Sequence, residues 1–214
     1  MVAKYLFLSD FDGTITLIDT VEAMVDRFAR GEYAQINQQW RDKVLDTETT
    51  AKRILEMFAA TEDELREFLN NIAIDPFFTE FVHEVQARED RLMITSDGYD
   101  YNIDLIMNRE GLGHIPFYAN HLIIREHEFS MSCGFFNPQC GLCGTCKRLL
   151  MDRLRSQHEI VVYIGDGFSD MCVSEYADIV LAKGRLITFC RENRLPCIEV
   201  EGFSDILEWY RTVD

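Results

Sequence analysis

The apolar run Tyr5-Leu6-Phe7-Leu8 opens directly onto Ser9-Asp10-Phe11-Asp12-Gly13-Thr14, and this junction constrains the chain more than any other stretch. Four consecutive aliphatic and aromatic residues read as a strand buried on both faces, the pattern of a parallel sheet covered by helices. Alternate residues at a strand end point the same way, so Asp10 and Asp12 can address one reacting centre while Gly13 releases the chain. Two close carboxylates repel each other and are tolerated around a divalent cation or with one of them protonated. Asp-x-Asp alone also fits an acidic turn after an edge strand. The apolar strand before it and Gly-Thr after it favour a site.

From Thr16 to about Glu89 the periodicity turns helical. Apolar residues three and four apart predict a helix over Thr20 to Arg30, stopped by Gly31, and further helices over 32–44, 47–59, 61–72 and 76–89. Thr61 and Glu64 match a capping box. The last of these helices reads as part of the sheet-packing layer and the others as an insertion.

A second strand, Arg91 to Thr95, ends in Ser96-Asp97-Gly98 and is followed by a helix from Tyr99 to Glu110. A hydroxyl at such a strand end, with the N–H groups of the next helix, can donate to phosphoryl oxygens. Asp97 fits a helix N-cap as well as a ligand group. Ile115 to Asn120 is a third strand candidate, His121 to Met131 a small hairpin, and His114, His121 and His127 read as ordinary histidines. Glu159 to Ile164 is a buried strand ending in Gly165-Asp166-Gly167-Phe168-Ser169-Asp170. Asp166 and Asp170, one helical turn apart, can approach one oxygen-ligated cation. Strands at 177–182 and 197–200 and helices at 186–193 and 203–212 complete the chain.

Cys140-Gly141-Leu142-Cys143-Gly144-Thr145-Cys146-Lys147 is the least expected stretch. Consecutive Cys-x-x-Cys steps, with Cys133 as a fourth ligand, suit structural zinc; a loop of reduced cysteines and a redox-sensitive pair are the other readings. An iron–sulfur run would end in Cys-Pro, which is missing here. Seven cysteines are an odd number and argue against a disulfide framework. Cys172, Cys190 and Cys197 read as small core residues.

Asp10-Phe11-Asp12-Gly13-Thr14, then Ser96, then Lys147, then Gly165-Asp166 with Asp170, taken in that order, resemble the four motifs of the haloacid dehalogenase superfamily, mostly magnesium-dependent phosphatases. The resemblance implies an α/β fold: a Rossmann-like core, with a central parallel sheet flanked by helices, at 1–16 and 76–214, and an α-helical cap at 17–75 inserted after the first strand. It implies Mg2+ on the Asp10 carboxylate, the Asp12 carbonyl and Asp166, with Asp170 in support. Asp10 would be the nucleophile and Asp12 the acid and base. Thr14, Ser96, Lys147 and the N–H groups around Phe11 to Thr14 would hold the phosphoryl oxygens. The layout is most similar to the phosphoserine phosphatase branch and, within it, to the methionine-salvage phosphatases acting on 2-hydroxy-3-keto-5-methylthiopentenyl-1-phosphate.

Two departures bear on substrate. Asp19 falls where phosphoserine phosphatases carry a substrate-binding Glu, and Asp97 falls where phosphoethanolamine and phosphocholine phosphatases carry Asp, although their second acidic residue falls on apolar Val21. Phosphoserine, phosphoethanolamine and phosphocholine are therefore alternative substrates. A regulatory protein with a silent phosphate site is the non-enzyme alternative, against which the intact Asp10, Asp12, Lys147 and Asp166 argue. A net charge of -16 disfavours nucleic acid or an anionic membrane as partner, so a small phosphorylated metabolite must be held by local cations. The strand begins almost at Met1, without an export signal or any 18-residue apolar run, and the expected location is cytoplasmic.

Overall fold

Every residue of strand β1 (Tyr5–Ser9) is buried, because parallel neighbours flank it on both sides. The computed structural model describes residues 4–156 and 160–213. After β1 come helices α1 (Thr20–Phe28), α2 (Ala34–Arg41), α3 (Thr47–Leu55), α4 (Glu62–Leu69) and α5 (Phe78–Ala87), then β2 (Arg91–Tyr99) and α6 (Asp100–Arg109). β3 (Phe117–Arg125), β4 (Glu128–Ser132), α7 (Lys147–Arg155) and β5 (Ile160–Gly165) follow. A 3-10 turn at Phe168–Asp170 leads into α8 (Met171–Ser174), then β6 (Ile179–Ala182), α9 (Gly184–Asn193), β7 (Ile198–Glu199) and α10 (Phe203–Thr212). Glu159, expected to open the fifth strand, lies outside the described residues, as do Met1, Val2 and Ala3.

The seven strands form one sheet in the order β4-β3-β2-β1-β5-β6-β7, parallel except for the β3–β4 hairpin. From β1 the chain moves to β2 on one side and later to β5 on the other. The direction of winding thus reverses beside β1, and the crevice outside the carboxyl ends of such strands is where open α/β sheets bind ligands. The structure extends two of the expected strands. β2 runs on to Tyr99 through a register irregularity, and β3 continues to Arg125, where left-handed Glu126 turns it into β4.

Phe7, Phe81 and Tyr210 pack edge to face at the centre of the core, with Phe203 tilted against Phe81, between β1, α5 and α10. The same apolar cluster continues through Ile103 and Phe129 to Phe28, Leu55 and Leu65, so α1, α3 and α4 share buried surface with α6 and the hairpin. Entry to and exit from this helical segment are paired: the Leu17 N–H donates to Ala73 O at 3.0 Å and the Asp75 N–H to Ile15 O at 2.8 Å. Thr61 and Glu64 form the expected capping box on α4, and Asp46 caps α3. Cys190 is buried as expected, but Cys172 is exposed. No described helix is long and apolar enough to cross a membrane.

Phe7→Ala should cost about 3–5 kcal/mol of stability, since its ring packs against those of Tyr5, Phe81, Trp209 and Tyr210. Removing the α4 cap with Thr61→Ala should cost about 1 kcal/mol. Urea unfolding measures both; equal losses would contradict this ordering.

Candidate active site

Asp10 follows the last residue of β1, and the Asp10 N–H donates to Ile164 O of β5 at 2.8 Å, which fixes its backbone against the neighbouring strand end. Lys147, the first residue of α7, sends its ammonium into the same place. It lies 2.6 Å from Asp10 Oδ1, 2.6 Å from Asp170 Oδ1 and 3.0 Å from Ser169 Oγ, and is only 3% exposed. Tyr163 Oη also donates to Asp170 Oδ1. Asp170 Oδ2 accepts the N–H groups of Asp166 and Gly167, each at 2.9 Å. Both Asp170 oxygens are thus occupied by protein groups, and their work is to hold Lys147 and shape the acidic loop.

Asp12 is gripped on both oxygens. Oδ1 accepts from the Thr20 N–H at 3.1 Å and from the Thr20 hydroxyl, and Oδ2 accepts from Ser96 Oγ at 3.1 Å. Asn102 Nδ2 in turn donates to Thr20 Oγ1 at 2.8 Å. Asp166 Oδ1 accepts from Thr14 Oγ1 at 3.0 Å. Its other oxygen faces Gly13, where a Cβ would lie 2.7 Å from it, and Gly13 also needs its positive φ of 74°. Asp10, Asp166 and Asp170 bring carboxylate oxygens within 4.8 Å of one another, and this is the one such grouping among the described residues.

Burial, reinforced by the Asp170 carboxylate, raises the Asp10 carboxyl well above its usual range. Burial and the same neighbour push Asp166 up to about 6. Burial also raises Asp12, partly offset by the hydrogen bonds from Thr20 and Ser96. Asp170 alone is lowered: burial opposes its charge, but the Lys147 ammonium outweighs it. Lys147 itself loses from burial and gains more from Asp10 and Asp170, so its pKa rises. One ammonium therefore compensates one of several converging carboxylates, and ionisation of Asp10 and Asp166 is left without a counter-charge. Hard oxygen donors at this spacing fit a small divalent cation such as Mg2+.

Above these groups lies a cavity of about 470 Å³ between the strand ends and α1 to α3. Val21, Val25, Ala51 and Ile54 give it an apolar wall, and Trp40 of α2 meets Phe168 of the acidic loop with ring centroids 6.3 Å apart. Asp19 lines the cavity and caps α1 by accepting the Glu22 N–H at 2.8 Å. It is open to the cavity yet crowded by protein, and burial followed by the Asp12 charge pushes it up to about 7. Lys183 and Gly98 also line the cavity and were not singled out in the sequence. Lys183 Nζ donates to Gly13 O at 3.0 Å, and a Cβ at Gly98 would lie 2.3 Å from Asp12 Oδ2. Their only sequence signals are a Lys just after a short strand and the Gly after Ser96-Asp97.

Two expectations need correction. Asp97 lines the cavity but does not cap α6, whose N-cap is Tyr99, and both of its oxygens already accept hydrogen bonds from protein groups. Its Oδ1 accepts the Thr145 N–H at 2.9 Å and Asn120 Nδ2 at 3.1 Å, and its Oδ2 accepts Thr47 Oγ1 at 2.8 Å. Burial raises its pKa against those bonds. The zinc site expected from Cys133, Cys140, Cys143 and Cys146 is not supported. No three of these thiols converge within ligand reach among the described residues, and Cys133 Sγ donates to Glu48 instead. The loop has another use: a Cβ at Gly144 would lie 2.3 Å from Asn120 Oδ1, so its glycine serves close packing.

Gly98→Ala should displace Asp12 and lower kcat about 100-fold with the fold retained; near-parental kcat with a folded variant would contradict the geometry. For Asp19 the sign follows from its raised value. The folded chain holds the proton more tightly than the unfolded chain, where the ordinary value is 3.8, so its stabilising contribution is full below pH 3.8 and is lost as pH rises through about 7. Asp19→Asn should therefore gain thermal stability relative to the parent as pH is raised across that window, and a pH-independent difference in Tm would count against it.

Residues 7–175 match the model of the haloacid dehalogenase-like hydrolase family. A 2-hydroxy-3-keto-5-methylthiopentenyl-1-phosphate phosphatase from Exiguobacterium sp. is 27% identical over 97% of each chain. One from Brevibacillus brevis is 26% identical over 97% of this chain and 95% of the relative. Among solved structures, a phospho-aspartyl intermediate analogue of phosphoserine phosphatase superposes with a TM-score of 0.72 at 20% identity, covering 97% of this chain and 99% of the other. Phosphoserine phosphatase from T. onnurineus gives a TM-score of 0.73 at 16% identity, over 100% and 97% of the two chains. By the matched family model, with the motif order and the fold in agreement, the chain belongs to the haloacid dehalogenase-like hydrolases.

Proposed function

We propose that the protein is a magnesium-dependent phosphomonoesterase working through phosphorylated Asp10. The observation that carries this reading is the Lys147 ammonium, 2.6 Å from Asp10 Oδ1 in a buried site that also holds Asp166. Asp10, the Asp12 carbonyl and Asp166 would hold Mg2+, which when bound offsets the charge of the phosphate and of the carboxylates around it. Asp170 supports them through Lys147 and the loop N–H groups.

Asp10 attacks phosphorus, forming the acyl phosphate bond as the bond to the leaving oxygen breaks, while protonated Asp12 gives that oxygen its proton. The raised proton affinity of Asp12 suits this step. Ionised Asp12 then takes a proton from water as the water attacks the phosphorylated Asp10, releasing inorganic phosphate and restoring the carboxylate. Lys147, Ser96 and N–H groups around Phe11 to Thr14 stabilise charge on the phosphoryl oxygens. The helices at 17–75 act as a cap that excludes water and contacts the non-reacting part of the substrate.

For substrate, the apolar wall of Val21, Val25, Ala51 and Ile54 favours an uncharged tail, as in the methylthio compound named for the relatives. The engagement of both Asp97 oxygens disfavours phosphoethanolamine and phosphocholine. Asp19 remains open to the cavity and keeps phosphoserine as the second reading.

The parent should hydrolyse 4-nitrophenyl phosphate with Mg2+, and Asp10→Asn should abolish turnover; retained turnover would refute the nucleophile assignment. A screen of the methylthiopentenyl phosphate, phosphoserine, phosphoethanolamine and phosphocholine should rank the first highest. A higher kcat/KM for an ammonium-bearing substrate would reverse the reading of the cavity.

A further inference from the structure

Asp97 stands at a junction that the reaction scheme does not use. Its Oδ1 accepts the N–H of Thr145, two residues before Lys147, and Thr145 Oγ1 donates to Asn120 Oδ1 at 3.0 Å. Asn120 Nδ2 returns to Asp97, meeting its carbonyl at 2.6 Å and Oδ1 at 3.1 Å, and Asn120 Oδ1 also accepts the Gly134 N–H at 3.2 Å. The segment leading to α7 is pinned further by Phe135, whose N–H donates to Gly144 O and whose carbonyl accepts the Cys146 N–H. Asn120 and Thr145 are fully buried, so this is a fixed polar network rather than a solvated turn.

The other Asp97 oxygen faces the helices over the cavity. Oδ2 accepts Thr47 Oγ1 from the first turn of α3, and Thr47 Oγ1 accepts the Trp40 Nε1–H at 3.1 Å. The Thr47 N–H donates to Leu142 O at 2.8 Å, within the Cys-x-x-Cys loop itself. Trp40 in turn meets Phe168 in the acidic loop. A single carboxylate thus takes one hydrogen bond from the cap helices and one from the backbone that carries the lysine.

We infer that Asp97 is a positioning residue that couples cap closure to the placement of Lys147. The inference rests on the proposed role of Lys147 at the Asp10 nucleophile. With Thr47 seated, Asp97 holds the Thr145 backbone, and α7 starts where its first side chain reaches Asp10. When the cap lifts, the Thr47 hydroxyl bond to Asp97 breaks together with the Thr47 N–H bond to Leu142, because both cross between the two parts. Asp97 therefore contributes to turnover of every substrate, whatever its tail.

A double-mutant cycle on 4-nitrophenyl phosphate with Mg2+ tests this. Asp97→Ala should lower kcat about 10- to 100-fold, as loss of hydrogen bonds to a buried charge does. Thr47→Val should lower kcat in the same direction by a smaller factor of about 3- to 10-fold, and adding it to Asp97→Ala should cost nothing further. Asp97→Asn, which keeps an acceptor for Thr145, should recover part of kcat. In a Trp209→Phe background, which leaves Trp40 as the sole tryptophan, Thr47→Val and Asp97→Ala should shift the emission in the same direction.

The inference is overturned if Asp97→Ala spares 4-nitrophenyl phosphate and weakens only phosphoethanolamine, as substrate or competitor, or if the Thr47 and Asp97 losses multiply. Should Asp97→Ala fail to fold, the cycle of Thr47→Val with Asp97→Asn decides by the same criterion. Parental activity in Lys147→Ala would instead sink the catalytic reading on which the inference stands.

Discussion

A buried ammonium allows this site to exist. Asp10, Asp12, Asp166 and Asp170 come from segments more than 150 residues apart, and their mutual repulsion in a desolvated crevice opposes the fold. Lys147 meets Asp10 and Asp170 at 2.6 Å each, with Ser169 Oγ as a third partner and Tyr163 supporting Asp170. A charged amine this deep is tolerable only because every direction it can donate in is filled. The ionised forms of Asp10 and Asp166 lack a counter-charge of their own, and a divalent cation can supply it.

The sheet supplies the geometry that makes such convergence possible. β1 lies between β2 and β5, so three strand ends deliver Asp10, Ser96 and Asp166 to one crevice. The helices at 17–75 close that crevice from above. They do so as part of one continuous apolar cluster that includes Phe28, Leu55 and Leu65 together with Ile103 and Phe129. Polar bonds near the cavity, those of Thr47 and Trp40 among them, add to the packing beneath.

Much of this was legible in the residues themselves, and the reason is locality. A buried strand followed by an acidic turn, a capping box, or two carboxylates one turn apart are patterns completed within a few positions, and Asp10, Lys147, Asp166 and Asp170 lie together. Groups that resisted reading depend on partners distant in sequence. Asp97 looks like a ligand group or a helix cap until Thr47, Asn120 and Thr145 are placed around it. Gly98 looks like any turn glycine until Asp12 is seen against it. The cysteine spacing suggested a metal, yet Gly144, which packs the loop onto Asn120, is the informative residue of that stretch.

The account's central claim is covalent: Asp10 carries the phosphoryl group between substrate and water. Rapid acid quench of the enzyme during turnover of 4-nitrophenyl phosphate with Mg2+, followed by peptide mass analysis, measures this most directly. The account predicts the added mass of one phosphoryl group on the peptide containing Asp10, absent when Asp10 is replaced by Asn. A phosphoryl group found on another residue, or steady turnover with none trapped under conditions where phosphorylation outruns hydrolysis, would contradict it.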